Sequence, residues 1–393
     1  MGTLLNRRRY MGGGGGYPAD AIMTIETNPE VLAICYAQGW CANDKYMTAS
    51  EAAAVTSIGT VFYNNNNIKH FEEFEYFTGV TSLANNAFRN CTNLTTLTIP
   101  ENVTSLGNDT LRNNGIKSLY IKAKTLSSWG NTYTFTDNVI EYIYADCQNF
   151  NPLVGSNSSF SKLETVVCGS NVRSIALYKS SNLTSVSLNE GLTTLSANAF
   201  RNCTSLTTLT IPTTVTSFGN DAFRDSGIKN LYVNATNITS WGNNYTFYSS
   251  SIEYLYSNSE LTSVVAGTMT KLSTLELGSN ARSIGGFQGS LLTNVVVPEG
   301  VTDIINSCFR FCSLLESVDF PSTTSVINGN IFEGDANLTS VTIRATTPPT
   351  GVDVYTFRNS PNAVVYVPSG SVSAYQSAGG WSNWASRIQA IPT

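Results

Sequence analysis

One histidine, His70, serves all 393 residues, and charged side chains make up only 12% of them. The first scarcity leaves little room for Ser-His-Asp or Cys-His catalysis, or for zinc held by imidazoles. The second comes with Lys+Arg 22 against Asp+Glu 27 and a net charge of -5. Without a basic stripe to neutralise phosphates, nucleic acid is not the expected partner. No run approaches the ~18 to 20 apolar residues that a membrane-spanning helix needs, so membrane insertion is not expected either. The opening MGTLLNRRRYMGGGGGYPAD carries a basic cluster, Arg7, Arg8 and Arg9, but no apolar h-region. It does not read as a secretory signal peptide. Asn6 stands where a myristoylation signal has Ser or Thr, which argues against a lipid on Gly2. The 8 cysteines include no CxxC pair, and no metal or cofactor site is expected.

Uncharged polar residues fill the place of charge. Thr 47, Ser 45 and Asn 41 together make 133 of 393, while 41% of the chain is hydrophobic and can build a sizeable core. That composition is organised by repetition. Residues 80–144 align without a gap on 192–256, an offset of 112, with about 40 of 65 positions identical. Inside this long period lies a shorter one. LTTLTIP at 94, IKSLYIK at 116, IEYIYAD at 140 and LETVVCG at 163 share a template with nine later segments, the last NAVVYVP at 362. The thirteen copies begin 20 to 24 residues apart, with apolar residues at their first, fourth and sixth positions.

Such a template specifies a short strand. Positions four and six lie two apart and face one way, and positions three and five face the other. One strand of this length cannot bury its apolar row alone, so the copies must stack as a parallel sheet over a continuous core. A second apolar anchor recurs between strands, at Phe88, Leu111, Phe135, Phe160, Phe200, Phe223, Phe247, Phe309, Phe332 and Phe357. It is expected to pack from the return side of each coil. The coils at 163–191 and 272–300 are shorter and lack the AFRNC signature.

VTSLANNAFRNCTNLTTLTIPEN resembles the BspA-type leucine-rich repeats of bacterial surface proteins, and the resemblance covers about residues 68–369. It implies an α/β leucine-rich-repeat solenoid, with a parallel sheet on the concave face and short irregular or helical convex segments. The tail VYVPSGSVSAYQSAGGWSNWASRIQAI is similar to that family's closing segment. Four regions are thus expected: a basic glycine-rich arm (1–20), a small helical cap (21–67), the solenoid (68–369) and a C-terminal cap (370–393). In the first cap, Asn28-Pro29-Glu30 before VLAICYAQ predicts an N-capped helix with proline in its first turn. Thr48 and Glu51 form a capping-box pattern. The cap is expected to continue helically through IKHFEEFEYF, and Ser371 to Gln389 to form a small closing helix with Trp381 and Trp384.

Several conspicuous residues have ordinary readings. Cys91, Cys203 and Cys312 share one repeat position, as buried small hydrophobes do; Cys308 with Cys312, and Cys35 with Cys41, could instead pair. Trp129 and Trp241 align with Leu106 and Phe218, a core position. Arg89, Arg112, Arg201, Arg224, Arg310 and Arg358 follow the return-side anchors as a spaced convex ladder, expected to pair with nearby Asp or Asn. His70 with Glu72, Glu73 and Glu75 reads as a polar rim of the cap. Asn-x-Ser/Thr triplets such as that at Asn90 are expected by chance in this composition.

The tyrosines point to function. Tyr120, Tyr144, Tyr232, Tyr256 and Tyr366 occupy strand position five, and Tyr142 and Tyr254 position three. All seven are expected on the concave surface, where Tyr120, Tyr142 and Tyr144 form one patch and Tyr232, Tyr254 and Tyr256 another. Tyrosine offers a flat apolar face and a hydroxyl at low entropic cost, which suits a sugar or a protein epitope. The alternative is that the rings only stabilise the sheet. The first functional reading is a non-catalytic recognition protein, a virion appendage of tail or head-fibre type. Its concave face would bind a host surface glycan or protein, and its arm, through Arg7, Arg8 and Arg9, would dock on a virion scaffold. By analogy this resembles similar repeat proteins of gut phages. The alternatives are a BspA-like adhesin on the bacterial cell surface and a spacer without ligand. A homo-oligomer is compatible with each.

Overall fold

The computed structural model describes residues 17–152, 160–263 and 269–393. The expected arm residues Arg7, Arg8 and Arg9 lie outside them. The chain divides into two compact units, Met1–Ile175 with Lys179–Asn189, and Ala176–Tyr178 with Glu190–Thr393.

Each of the thirteen template copies forms a strand at the place its apolar spacing requires. In the first unit Thr96–Ile99, Ser118–Ile121, Tyr142–Ala145, Thr165–Cys168 and Ser185–Ser187 stack in parallel, and His70–Phe71 adds to the front of the ladder. Position four aligns across it, Leu97 opposite Leu119, Leu119 opposite Ile143, and Ile143 opposite Val166. The result is an unbroken apolar ridge, and all four residues are buried. A shorter strand in the same coils, Ser82–Leu83, Ser105–Leu106 and Ser128–Trp129, forms a second parallel ladder.

The second unit repeats the plan. Thr208–Ile211, Asn230–Val233, Tyr254–Ser257 and Thr274–Leu277 form one ladder. Asn294–Val296, Ser317–Phe320, Ser340–Ile343, Val364–Val367 and Ile388–Ala390 form the next. The break between them follows a coil of 20 residues, where Leu275 and Leu277 are only half-buried. The protein is therefore a parallel-strand solenoid of about 13 turns with few helices.

The return segments explain the AFRN signature. Asn86, Phe88 and Asn90 donate their N–H groups to the carbonyls of Asn108, Thr110 and Arg112 in the next coil, so the turns form a ladder of their own. That geometry puts a residue on either side of the anchor in the left-handed region: Asn86 and Asn90, Asp109 and Asn113, Asn198 and Asn202, Asp221 and Asp225. Asn and Asp tolerate it best among residues with a side chain. Between these corners the anchors point inward and all ten are buried. Phe200, Phe223 and Phe247 stack at 6.2 and 5.2 Å, and Phe309, Phe332 and Phe357 at 6.0 and 5.4 Å. In the two shorter coils the anchor is Leu177 and Phe287, both buried. Gly115 and Gly227 mark where successive coils touch, because a Cβ at either would collide with the carbonyl oxygen of Thr92 or Thr204.

The caps differ in detail from the expectation. A helix spans Pro29–Ala37 with proline at its start, but the Asn28 side chain does not cap it. Its amide donates instead to the His70 carbonyl at 3.1 Å and to Glu73 Oε2 at 3.0 Å, joining the helix to the first coil. The second helix, Ala49–Ala54, has the full capping box between Thr48 and Glu51. The segment after Ile68 is not α-helical. It gives the short strand and then a tight 3-10 turn, Glu72–Tyr76, whose Phe74 joins Phe62, Phe71, Phe77 and Phe88 in an aromatic plug. At the other end the closing segment is a helix (Val372–Ser377), a 3-10 turn (Trp381–Arg387) and a strand rather than one helix. Trp381 is buried there with its Nε1 on the Pro349 carbonyl at 2.7 Å. Among the described residues no helix is long and apolar enough to cross a membrane.

Candidate functional site

The strand alternation fixes which side chains the ladder presents. Along Ser118–Ile121, Tyr142–Ala145, Asn230–Val233, Tyr254–Ser257 and Val364–Val367, positions four and six are buried, and three and five are half-buried. Tyr120, Tyr142, Tyr144, Tyr232, Tyr254, Tyr256 and Tyr366 are therefore all on the outward face of the sheet and partly open to solvent. Thr98 departs from the pattern. It is buried where the Glu72–Tyr76 turn packs against its strand.

Within each unit the tyrosines meet as the repeat spacing predicts. Tyr120 lies directly opposite Tyr144 in the ladder and diagonally against Tyr142, with ring centroids 5.7 Å apart and tilted by 51°. The second unit reproduces this: Tyr232 lies opposite Tyr256 and against Tyr254 at 5.2 Å and 47°. Tyr366 has no tyrosine neighbour of this kind; it pairs with Thr342 and Gln389. Partial burial, with smaller repulsions from Tyr120 and Tyr144, raises the Tyr142 hydroxyl above its usual pKa. Burial and then the hydrogen bond to Glu276 push Tyr254 up to about 12. Its hydroxyl donates to Glu276 Oε2 at 2.7 Å. Burial likewise raises the Tyr144 hydroxyl, so Tyr142, Tyr144 and Tyr254 stay protonated at neutral pH.

The other conspicuous residues fall into structural roles. Trp129 and Trp241 are core residues, and the Trp241 indole donates to the Leu261 carbonyl at 2.8 Å. All eight cysteines are buried and none is in a disulfide, so neither Cys308 with Cys312 nor Cys35 with Cys41 is paired. The Cys91, Cys203 and Cys312 thiols are used as weak donors, to the carbonyls of Phe62, Leu177 and Phe287. His70, Glu72 and Glu73 bring potential ligand atoms within 4.8 Å of one another. His70 Nδ1 pairs with Glu72 at 2.8 Å, Glu73 accepts from Asn28, and Glu75 pairs with Lys122. The group anchors the cap.

Four of the six return-side arginines pair with Asp as expected, and the other two with a glutamate. Arg89 and Arg112 converge on Asp109, Arg201 and Arg224 on Asp221, and Arg310 and Arg358 on the buried Glu333. Their aromatic partners were not foreseen. Arg112 lies over Tyr133 at 5.3 Å, Arg224 over Tyr245 at 5.1 Å and Arg358 over Tyr355 at 4.8 Å. The recurring Tyr-Thr-Phe triplet that ends on the anchors Phe135, Phe247 and Phe357 is the signal that could have shown them.

The coil geometry and its recurring signature agree with a family model. The model for the BspA-type leucine-rich repeat region matches residues 56–178, 170–286 and 243–364. The chain belongs to the BspA-type leucine-rich repeat family. A leucine-rich repeat protein from Bacteroides ovatus has a similar structure, with a TM-score of 0.52 at 18% identity, covering 83% of this chain and 89% of that one. A leucine-rich cell surface protein from Faecalibacterium prausnitzii covers 80% of this chain and 87% of its own, at 18% identity and a TM-score of 0.28. The pneumococcal vaccine antigen PcpA covers 89% and 85%, at 16% identity and a TM-score of 0.32. No curated protein matches the chain. Proteins of the BspA-type family are generally non-catalytic binding proteins.

Proposed function

We propose that this BspA-type protein is a non-catalytic recognition protein of the bacterial cell surface, and that it binds a surface glycan or protein through the tyrosines of its sheet. The observation that carries the reading is the duplication of the tyrosine arrangement. Two units place three tyrosines at matching ladder positions, with nearly the same ring contact, on an outward face. Sheet stabilisation needs neighbouring rings but does not need them half-open to water. Membership of a family of bacterial surface proteins favours the cell-surface reading over the virion appendage that headed the sequence-based alternatives.

Tyr142, Tyr144, Tyr254 and Tyr256 replaced together by Ser test the site. Attachment of the purified protein to host cells or to a glycan array should fall at least tenfold while the fold persists by circular dichroism. Undiminished attachment would reduce the tyrosines to sheet contacts. Immunogold labelling of the producing bacterium tests the location, and labelling confined to particles shed from lysed cells would restore the virion reading.

A further inference from the structure

The two tyrosine patches share their ring contacts but differ in the strand that follows them. In the second unit the strand after Tyr254 and Tyr256 presents Glu276, directly opposite Tyr256 and hydrogen-bonded to the Tyr254 hydroxyl at 2.7 Å. In the first unit the corresponding neighbour, opposite Tyr144, is Val167. Glu276 is exposed, and its Oε1 has no hydrogen-bond partner among the described residues. An exposed carboxylate held by a tyrosine hydroxyl, beside aromatic rings, is the combination that receives an organic cation: the rings attract it through their faces and the carboxylate through its charge.

We infer that Tyr232, Tyr254, Tyr256 and Glu276 form a site for a lysine side chain of a protein partner, and that the first unit's patch, with Val167, is indifferent to charge. The inference rests on the concave-face reading above and narrows it for one of the two patches. Lysine fits the order of the groups. Tyr232 and Tyr254 supply apolar surface on which its methylene stem can lie, and Glu276, one strand further on, takes the ammonium. An amino sugar carries its ammonium on a hydroxyl-covered ring and offers no such stem. Neighbouring charges do not compete, because Glu253 is engaged with Lys229 at 3.4 Å.

The test uses the full chain and a fluorescein-labelled peptide of alternating lysine and glycine, followed by fluorescence anisotropy. Glu276→Val, which installs the first unit's residue, should weaken binding at least tenfold. Glu101→Gln removes the same formal charge from the first unit and should change it less than twofold, separating the site from the overall negative charge. Val167→Glu should strengthen binding at least threefold by giving the first patch its missing carboxylate. Acetylating the peptide's lysines should abolish binding to the parent protein. Equal affinity in Glu276→Val and the parent, or equal losses in Glu276→Val and Glu101→Gln, would overturn the assignment. So would binding of a glucosamine oligomer, lost in Glu276→Val, where the lysine peptide does not bind. The serine variants decide the broader reading separately: loss of cell attachment with an unchanged response to Glu276→Val leaves the recognition face standing and removes the lysine site alone.

Discussion

Three residues after the return-side anchor most coils place a small buried group: Cys91, Asn114, Asn138, Ser180, Cys203, Ser226, Ser250, Ser290, Cys312 and Ser360. At Asp335 alone this position carries an acid, and it is completely buried. Its Oδ1 accepts the Cys312 N–H at 2.8 Å, while Oδ2 has no hydrogen-bond partner. The Cys312 thiol is the titratable group that faces it, and Glu333 with Arg310 and Arg358 lies two residues away. Burial, offset only in part by the Cys312 N–H, pushes the carboxyl from 3.8 up to about 8. The folded pKa is raised, so the native state holds the proton after the unfolded chain has released it. Stability from this group is complete below pH 3.8 and declines as the pH rises toward 8. At pH 7 the loss is on the order of 4 kcal/mol, from ~1.4 kcal/mol for each pH unit above the unfolded value. Asp335→Asn keeps the shape and removes the titration. Relative to the parent it should therefore gain about 4 kcal/mol between pH 4 and pH 7, or on the order of 10 °C in melting temperature. Thermal melts of both proteins at half-unit steps of pH provide the comparison, and titrations elsewhere cancel in the difference. A gap that stays constant across that range would mean Asp335 is ionised in the fold, and the argument from burial would fail.

Two further outcomes follow from the coil geometry. Phe223→Ala removes the middle ring of the Phe200–Phe223–Phe247 stack and should cost about 3 to 5 kcal/mol in urea unfolding; a loss under 1 kcal/mol would show that the anchors do not bear the core. Phe311 sits at φ 60, the corner that Asn90, Asn202 and Asn359 fill elsewhere, and is 46% exposed. Phe311→Asn should raise stability by about 1 kcal/mol in thermal melts by relieving a conformation that bulky residues resist, and a drop would show that its contact with Arg310 at 4.4 Å outweighs the strain.

The strands were legible because one template, whose fourth and sixth positions turn toward the core, repeats thirteen times and leaves no other period that fits. The anchors and the core tryptophans followed from the same alignment. Asn28 shows where local rules stop. Its position fits a cap, yet the carbonyl of His70 and the carboxylate of Glu73, both more than 40 residues away in the chain, recruit its amide. The interruption of the ladder after Thr274–Leu277 was hidden for a similar reason, since a 20-residue spacing also separates coils that do pair. The tyrosine patches were readable as positions, but Glu276 becomes part of one only through the register of the neighbouring strand.

The buried thiols have a practical consequence. Cys35, Cys91, Cys147 and Cys168 are each pushed up to about 12, chiefly by burial, and so present almost no thiolate to an alkylating reagent while the chain is folded. Each will be modified only when its own turn opens. Pulse alkylation followed by peptide mass mapping would then time the unzipping of the molecule, with labels that nature has already installed from residue 35 to residue 312.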